Sequence, residues 1–154
     1  MAGYYRNLVI ENADIMRGSY KNFSGRKGQY NRSGQRSFCL VLDPEMAEKL
    51  RDQGWNVRLR APKDEGDSPV YYVSINVSYG NEYYGDPIVV RITNNSRVEL
   101  TEATIGQLDE DEIISVDVKI RPHVSTSDDG QRRVKGYLKE MYVTVEESLA
   151  DKYR

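Results

Sequence analysis

The segment from Arg17 to Arg36 combines basic and aromatic side chains and contains no acid. Binding a single nucleic-acid strand without reading its sequence needs cations that follow the phosphates and flat rings on which bases stack. The segment interleaves both, and its glycines let the backbone approach a ligand closely. Its candidate contacts are Arg17, Lys21, Phe23, Arg26, Lys27, Tyr30, Arg32 and Arg36. We therefore predict a groove for single-stranded DNA here; the alternative is a solvated basic hairpin whose rings pack on the protein.

Two further groups of candidate contacts lie outside this segment. Arg58 and Arg60 share one face of a predicted strand, and Tyr72 stands on the polar face of the most regularly alternating strand. A ring among small polar side chains is typical of a stacking platform, although it can also cover a loop. Arg133 and Lys135 belong to a second basic patch. We expect these five residues to add to the same interface.

Charge is unevenly distributed along the chain, which has a formal net charge of −2. Six basic residues and no acid fall between Arg17 and Arg36, whereas seven acids and no base fall between Glu99 and Asp117. A chain polarised in this way can bind a polyanion on one face despite its acidic total. The pattern therefore supports nucleic-acid binding on one face.

Residues that could carry out catalysis are few. The chain has one histidine, His123, and one cysteine, Cys39, and a zinc site needs three or four suitable ligands. No phosphate loop, nucleophile elbow or dinucleotide fingerprint is present. Acids at 109–112 and 128–129 would bind magnesium only by converging from separate elements, so we interpret them as solvated turns. We expect no metal, no cofactor and no enzymatic activity, with Cys39 a buried, reduced thiol.

The elements that must position these residues are mostly short strands. Asp43 and Pro44 begin one short helix that Gly54 ends, and Thr101 predicts a second, less regular one. Strands are predicted at 7–16, 36–42, 55–60, 70–79, 88–93, 97–100, 113–121 and 134–145. In a chain of 154 residues these elements predict one mostly β domain, a small OB-like β-barrel with one or two short helices and a polar tail from about residue 146. Periodicity alone leaves a β-sandwich open.

Apolar runs in the chain are short. The longest contain about five residues, whereas a membrane-spanning helix needs roughly twenty. The first residues, Met1 to Leu8, lack the apolar stretch of a signal peptide. We expect a cytoplasmic protein without a membrane partner.

Several short motifs follow one another along the chain. They are Asn22-Phe23-Ser24-Gly25, Tyr30-Asn31, Gly34, Arg36, Phe38, Ala47-Glu48-Lys49-Leu50 and Gly54-Trp55-Asn56-Val57. In this series the chain resembles a bacteriophage family of single-stranded-DNA-binding proteins, over nearly its whole length. The resemblance implies an OB-like barrel that acts in phage DNA replication or recombination in the host cytoplasm. Single-stranded DNA is then the expected partner, and RNA, a homodimer and other phage replication or recombination proteins stay open.

The C-terminal segment and the acidic run bear on partner recruitment and on alternative functions. Bacterial housekeeping single-strand binders end in a flexible acidic tail, whereas this chain ends with the short segment Glu146 to Arg154, which closes on a base. Recruitment of partners through such a tail is therefore not expected. A second hypothesis is a phage protein that binds and inhibits a host defence protein, with the run from Glu99 to Asp117 imitating a nucleic-acid backbone. A metal-dependent nuclease is the third.

Overall fold

The computed structural model describes residues 6–27, 34–62 and 64–153, so the predicted contacts Tyr30 and Arg32 lie outside the described residues. Within these ranges the chain forms nine strands, two α-helices and two 3-10 helices. The strands are β1 (Leu8–Ala13), β2 (Lys21–Asn22), β3 (Arg36–Leu42), β4 (Arg58–Arg60), β5 (Val70–Val77), β6 (Ile88–Ile92), β7 (Arg97–Leu100), β8 (Ile113–Thr126) and β9 (Arg132–Val145). The helices are α1 (Pro44–Asp52), α2 (Leu149–Lys152) and the 3-10 helices Gly18–Tyr20 and Ile105–Asp109. No helix in these ranges is long and apolar enough to cross a membrane.

Five of the strands close into a barrel. β1 pairs with β8, β8 with β9, β9 with β5 and β5 with β3. The ring closes just after β1, where the Met16 N–H donates to the Cys39 carbonyl and the Val41 N–H donates to the Asp14 carbonyl, both at 2.9 Å. Neighbours in the ring are antiparallel except β5 and β9, which are parallel. This five-stranded barrel has the OB architecture, so the predicted fold class is confirmed.

The barrel core is built from side chains that alternate with outward ones along each strand. The buried residues of β3 and β5 are Phe38, Leu40, Leu42, Val73, Ile75 and Val77. Trp55 lies in the same core and is only 5% exposed. β9 approaches it so closely at Gly136 that a Cβ there would lie 2.7 Å from the indole ring. The position of β9 therefore depends on a residue without a side chain.

Helix α1 begins and ends where the sequence predicts. The Asp43 carboxylate accepts from the Met46 N–H at 2.7 Å, which caps the first turn. Gly54 follows the helix with φ +101°, in the left-handed region. The strand predicted from Trp55 to Arg60 is shorter than expected, because only its last three residues pair with β5.

β8 and β9 form a long hairpin with 14 residues in each strand. The expectation that the first of these strands ends at residue 121 and the second begins at 134 is wrong. The strands stay paired as far as Thr126 and Arg132, and the turn between them is closed by the Ser127 N–H, which donates to the Gln131 carbonyl at 2.8 Å. Backbone pairing with a neighbouring strand does not require apolar side chains, so polar composition alone misplaced the loop.

The C-terminal residues form a docked helix, which corrects the predicted polar tail. Ser148 and Asp151 cap each other at the start of α2. The Asp151 carboxylate then accepts two hydrogen bonds, at 2.9 and 3.0 Å, from the Arg91 guanidinium. Arg91 is 4% exposed and also forms two hydrogen bonds with Asp111. Pairing with Arg91 holds the pKa of Asp151 well below its usual value.

Candidate nucleic-acid interface

The outward side chains of β3, β4 and β5 form one continuous surface, here called the outer face. The facing pairs across β3 and β5 are Ser37 with Asn76, Cys39 with Ser74, and Val41 with Tyr72. β4 extends the surface, because Arg58 lies beside Tyr72 in register and Arg60 lies beside Val70. Residues paired in this way point to the same side of a sheet. The fold therefore brings the predicted contacts Arg58, Arg60 and Tyr72 together.

Two tyrosine rings meet on the outer face. Tyr20, in the 3-10 helix before β2, packs edge to face on Tyr72, with ring centroids 5.5 Å apart and an angle of 72° between the planes. Both rings are half-buried, so part of each stays accessible to solvent. Arg58 is exposed beside them. The outer face thus offers aromatic surface next to cations, the combination that single-strand binding requires.

Cys39 also lies on the outer face, which corrects the prediction of a buried thiol. Alternation along β3 turns Phe38 and Leu40 inward and leaves Cys39 half-buried between them. Burial raises the pKa of the Cys39 thiol, and the nearby Arg58 charge and a hydrogen bond with Ser74 oppose that rise. The only thiol in the chain is therefore next to the aromatic and basic residues of this surface.

The described part of the segment from Arg17 to Arg36 lies against the acidic run from Glu99 to Asp117. Ion pairs of the described residues join them: Arg17 with Glu112 at 2.9 Å, Arg26 with Asp109 at 3.8 Å, and Arg36 with Glu102 at 3.8 Å. The acids reduce the positive potential of the segment. Because Glu102, Asp109 and Glu112 are paired with arginines, they are less able to imitate a nucleic-acid backbone toward a host protein. The side chains of Arg17 and Arg26 remain 79% and 67% exposed and accessible to a phosphate.

Lys21 and Phe23 do not serve as surface contacts. Lys21 pairs in register with Phe38 and, like it, points inward. Its ammonium group donates to the carbonyls of Leu108 and Asp111 at 2.8 and 2.7 Å, and burial lowers its pKa. Phe23 is completely buried and stacks on Phe38, with ring centroids 5.3 Å apart. We remove both residues from the predicted interface, because strand alternation turns them into the protein.

Asn22 shapes the loop that follows β2. Its side-chain carbonyl accepts from the backbone N–H groups of Gly25 and Arg26, both at 3.0 Å, and its amide donates to the Arg26 carbonyl at 2.8 Å. The Gly34 N–H donates to the Gly25 carbonyl at 2.8 Å, which brings the two sides of the loop together. Arg26 and the exposed Lys27 therefore extend from a defined turn.

Arg36 is half-buried and contributes to the structure of the same loop. Its Nε donates to the Phe23 carbonyl at 3.0 Å, and its guanidinium carbon lies 5.4 Å from the centre of the Tyr79 ring. Burial raises the pKa of Tyr79 to about 12. Arg36 thus orients the loop, and only part of its guanidinium is available to a ligand.

The second basic patch continues the outer face on β9. Arg133 and Lys135 are exposed and alternate with buried neighbours. β9 runs beside β5, where Asn76 pairs with Tyr137 and the Asn76 amide donates to the Gly136 carbonyl at 3.3 Å. Cations from β4 and from β9 therefore lie along the same edge of β5, the edge opposite its pairing with β3.

Two of the acids considered as magnesium ligands, Asp109 and Asp129, have other partners. Asp109 accepts from the Phe23 N–H at 2.7 Å, and Asp129 accepts from the Gln131 N–H at 3.1 Å and from the Ser127 hydroxyl. In the described ranges, no group of three or more His, Cys, Asp or Glu side chains is arranged to hold a metal ion.

Residues 2–154 match the family model described as "Putative phage ssDNA-binding domain". The chain belongs to this phage ssDNA-binding domain family. No curated protein shows a significant match to the sequence.

Solved structures similar to this family member come from bacteriophage Enc34. Its single-stranded DNA-binding protein aligns with a TM-score of 0.54 at 14% identity, over 96% of this chain and 90% of that one. The same phage protein in complex with ssDNA aligns with a TM-score of 0.54 at 15% identity, over 92% and 88% of the two chains. At these identities the similarity shows a shared fold.

This family member has a second cluster of rings and cations, which was not predicted from the sequence. The Arg121 guanidinium carbon lies 3.5 Å from the centre of the Tyr84 ring and 4.9 Å from that of Tyr137. Tyr83, beside Tyr84, is 86% exposed. The available signal in the sequence was the pair of adjacent tyrosines inside the polar turn 80–87, because two large rings are unusual in an otherwise polar turn.

Proposed function

We propose that the protein is a non-enzymatic single-stranded-DNA-binding protein of phage DNA replication or recombination, acting in the host cytoplasm and largely independent of sequence. The observation that carries the proposal is the outer face, where Tyr20 and Tyr72 lie beside Arg58 and Arg60. OB barrels bind oligonucleotides through their second and third strands and the adjoining loops. In this barrel those strands are β3 and β5, and Arg26 and Lys27 lie between β2 and β3. Family membership supports the same function.

Each part of the outer face has a distinct role in the proposed complex. Bases stack on Tyr20 and Tyr72, and each stacked base is typically worth about 1–3 kcal/mol. A ring contacts the flat face of any base, so such stacking carries little sequence preference. Phosphates lie near Arg58 on β4 and near Arg133 and Lys135 on β9, and their neutralisation releases counterions.

A charge reversal in the basic loop tests the proposal. We expect the double variant Arg26→Glu, Lys27→Glu to weaken binding of fluorescein-labelled oligo-dT by at least about tenfold, because two cations that attract phosphate become anions. The slope of log K against log salt should also become shallower, by about 0.7 for each phosphate that the protein no longer neutralises. Fluorescence anisotropy over a salt series measures both quantities.

The matched control is Lys49→Glu, Arg97→Glu, which makes the same change in net charge at exposed positions on α1 and β7. It should bind oligo-dT within about twofold of the wild type, because neither residue belongs to the proposed interface. Equal losses of affinity in the two double variants would show that the effect comes from net charge and not from the position of Arg26 and Lys27. Absence of wild-type binding even at low salt would refute the proposed function itself.

The thiol of Cys39 provides a second test without any mutation. Saturating oligo-dT should slow alkylation of Cys39 by N-ethylmaleimide at least about fivefold, because a strand on the outer face covers the half-buried sulfur. Intact-mass spectrometry over time gives the rate. The same oligonucleotide at a salt concentration that abolishes binding is the control, and equal rates with and without bound DNA would place the strand elsewhere.

The identity of further partners belongs to the same proposal. Competition by an RNA oligonucleotide of equal length measures the preference for DNA, since a 2′-hydroxyl distinguishes the two ligands. A homodimer and contacts with other phage replication or recombination proteins stay predictions, and sedimentation of the purified protein with and without oligo-dT tests the first of them.

A further inference from the structure

The turn between β5 and β6 holds two adjacent tyrosines in solvent. The Asn81 side-chain carbonyl accepts from the N–H groups of Tyr83 and Tyr84 at 2.9 and 3.0 Å. The Gly85 N–H donates to the Asn81 backbone carbonyl at 2.9 Å, and the Asp86 carboxylate accepts from the Gly80 N–H at 2.9 Å. These bonds fix the turn while leaving Tyr83 86% and Tyr84 53% exposed. An ordered turn that presents two rings to water indicates a surface for a ligand.

Cations lie directly beside these rings. The Arg121 guanidinium is placed between Tyr84 and Tyr137, at 3.5 and 4.9 Å from the ring centres, as in cation–π stacking. Lys139 is exposed at the edge of the same groove, which encloses about 530 Å³. The groove also contains Asp86, whose carboxylate is already engaged by Gly80. We call this site the Tyr83 groove.

The Tyr83 groove is continuous with the proposed DNA surface. A second groove runs from Gly34 and Arg36 over Asn76 and includes Ser78 and Tyr137, and the last two residues also line the Tyr83 groove. Asn76 is on the outer face. A strand leaving the outer face across β5 therefore reaches Tyr137 first and the tyrosine turn next. Glu102, an acid that lines the connecting groove, is paired with Arg36 at 3.8 Å.

We propose that the Tyr83 groove is a second nucleotide-binding site, which takes one or two nucleotides of the strand already bound on the outer face. This inference rests on the proposed function. A base stacks on the exposed ring of Tyr83, and Arg121 and Lys139 face the phosphates on either side of it. The site recognises a base joined to phosphate, and it extends the length of strand that one molecule covers. Affinity then increases with oligonucleotide length once the strand reaches both sites.

Variants of Tyr83 combined with oligonucleotide length test the inference. With oligo-dT of about 15 nucleotides, Tyr83→Ala should lose at least about fivefold in affinity, as expected for one stacked base. With oligo-dT of about 5 nucleotides, which spans only the outer face, the same variant should bind as the wild type does. Tyr83→Phe should retain affinity for both lengths, because the ring is kept. Anisotropy titrations at one salt concentration provide all the values.

Tyr153→Ala is the matched control, since Tyr153 is 79% exposed and lies beside α2, remote in sequence from the groove. Both tyrosines are largely in solvent, so neither change should lower the melting temperature. Wild-type binding of the longer oligonucleotide with no loss in Tyr83→Ala would overturn the inference and leave the proposed function standing. No wild-type binding to either length would overturn both.

Photo-crosslinking tests whether the DNA strand itself occupies the Tyr83 groove. Oligo-dT carrying one 5-iodouracil should crosslink to the peptide containing Tyr83 and Tyr84 when the label is near one end. Crosslinks confined to peptides of the outer face, with Tyr20 or Tyr72, would contradict the second site. In that case the exposed tyrosines would be a surface for a protein partner.

Discussion

Replacing Tyr72 with alanine is expected to lower the affinity for single-stranded DNA by at least about tenfold. One stacked base is typically worth about 1–3 kcal/mol, which corresponds to roughly 5- to 150-fold in the dissociation constant. Tyr72 lies at the middle of the outer face, between Val41 on β3 and Arg58 on β4, and its ring supports that of Tyr20. Loss of the ring therefore affects two stacking positions. Anisotropy titrations with oligo-dT measure the effect.

Two comparisons isolate the ring of Tyr72 from other effects. Tyr72→Phe should bind nearly as well as the wild type, because stacking needs the ring and not the hydroxyl. Tyr142→Ala removes a half-buried β9 tyrosine whose hydroxyl donates to Glu140 and which pairs in register with Asp117. Its surroundings are acidic, so affinity should not change. Equal losses in Tyr72→Ala and Tyr142→Ala would remove Tyr72 from the interface.

Replacing Arg91 with alanine is expected to lower the melting temperature by about 10 °C. The change removes the guanidinium group, which donates two hydrogen bonds to the Asp111 carboxylate and two to the Asp151 carboxylate. Removing one partner of a buried ion pair is strongly destabilising, because the remaining charge is uncompensated. Differential scanning calorimetry at neutral pH measures the shift. Asp128→Asn, at an exposed position in the β8–β9 turn, is the control and should melt as the wild type does.

The same ion pair predicts a dependence on pH. Pairing with Arg91 depresses the pKa of Asp151 in the folded protein, so its stabilising contribution is complete above the usual aspartate pKa of about 4. The contribution is lost as the pH falls below that value toward the folded pKa. Asp151→Asn should therefore melt well below the wild type at pH 7, and the difference should shrink at acid pH. A difference that is independent of pH would show that the carboxylate charge is not what holds α2.

Local patterns in the sequence predicted the parts of the fold that depend on neighbouring residues. The capping residues Asp43 and Gly54 predicted the two ends of α1. The alternation of apolar and polar residues predicted β3 and β5. The same alternation put Tyr72 on the outward side, and it needed only the pairing of β4 with β5 to bring Arg58 and Arg60 beside it. This part of the candidate site was predictable because each residue lies on a regular strand.

Long-range contacts account for what the sequence did not predict. Lys21 is a basic residue in a basic segment, and only the carbonyls of Leu108 and Asp111, about ninety residues away, explain its burial. The helix α2 forms in a polar segment because Asp151 reaches Arg91 across the fold. The basic and acidic runs, which are separate in sequence, likewise meet through long-range ion pairs. Composition and periodicity contain no information on such partners.

Trp55 is the only tryptophan, and it lies inside the barrel beneath Gly136, away from the outer face. Its fluorescence is therefore a spectroscopic reporter of the folded core that bound bases do not contact. Unfolding exposes the indole and shifts its emission to the red, whereas strand binding should leave that emission nearly unchanged. One emission spectrum can thus verify the integrity of each variant in the same cuvette in which a labelled oligonucleotide reports occupancy.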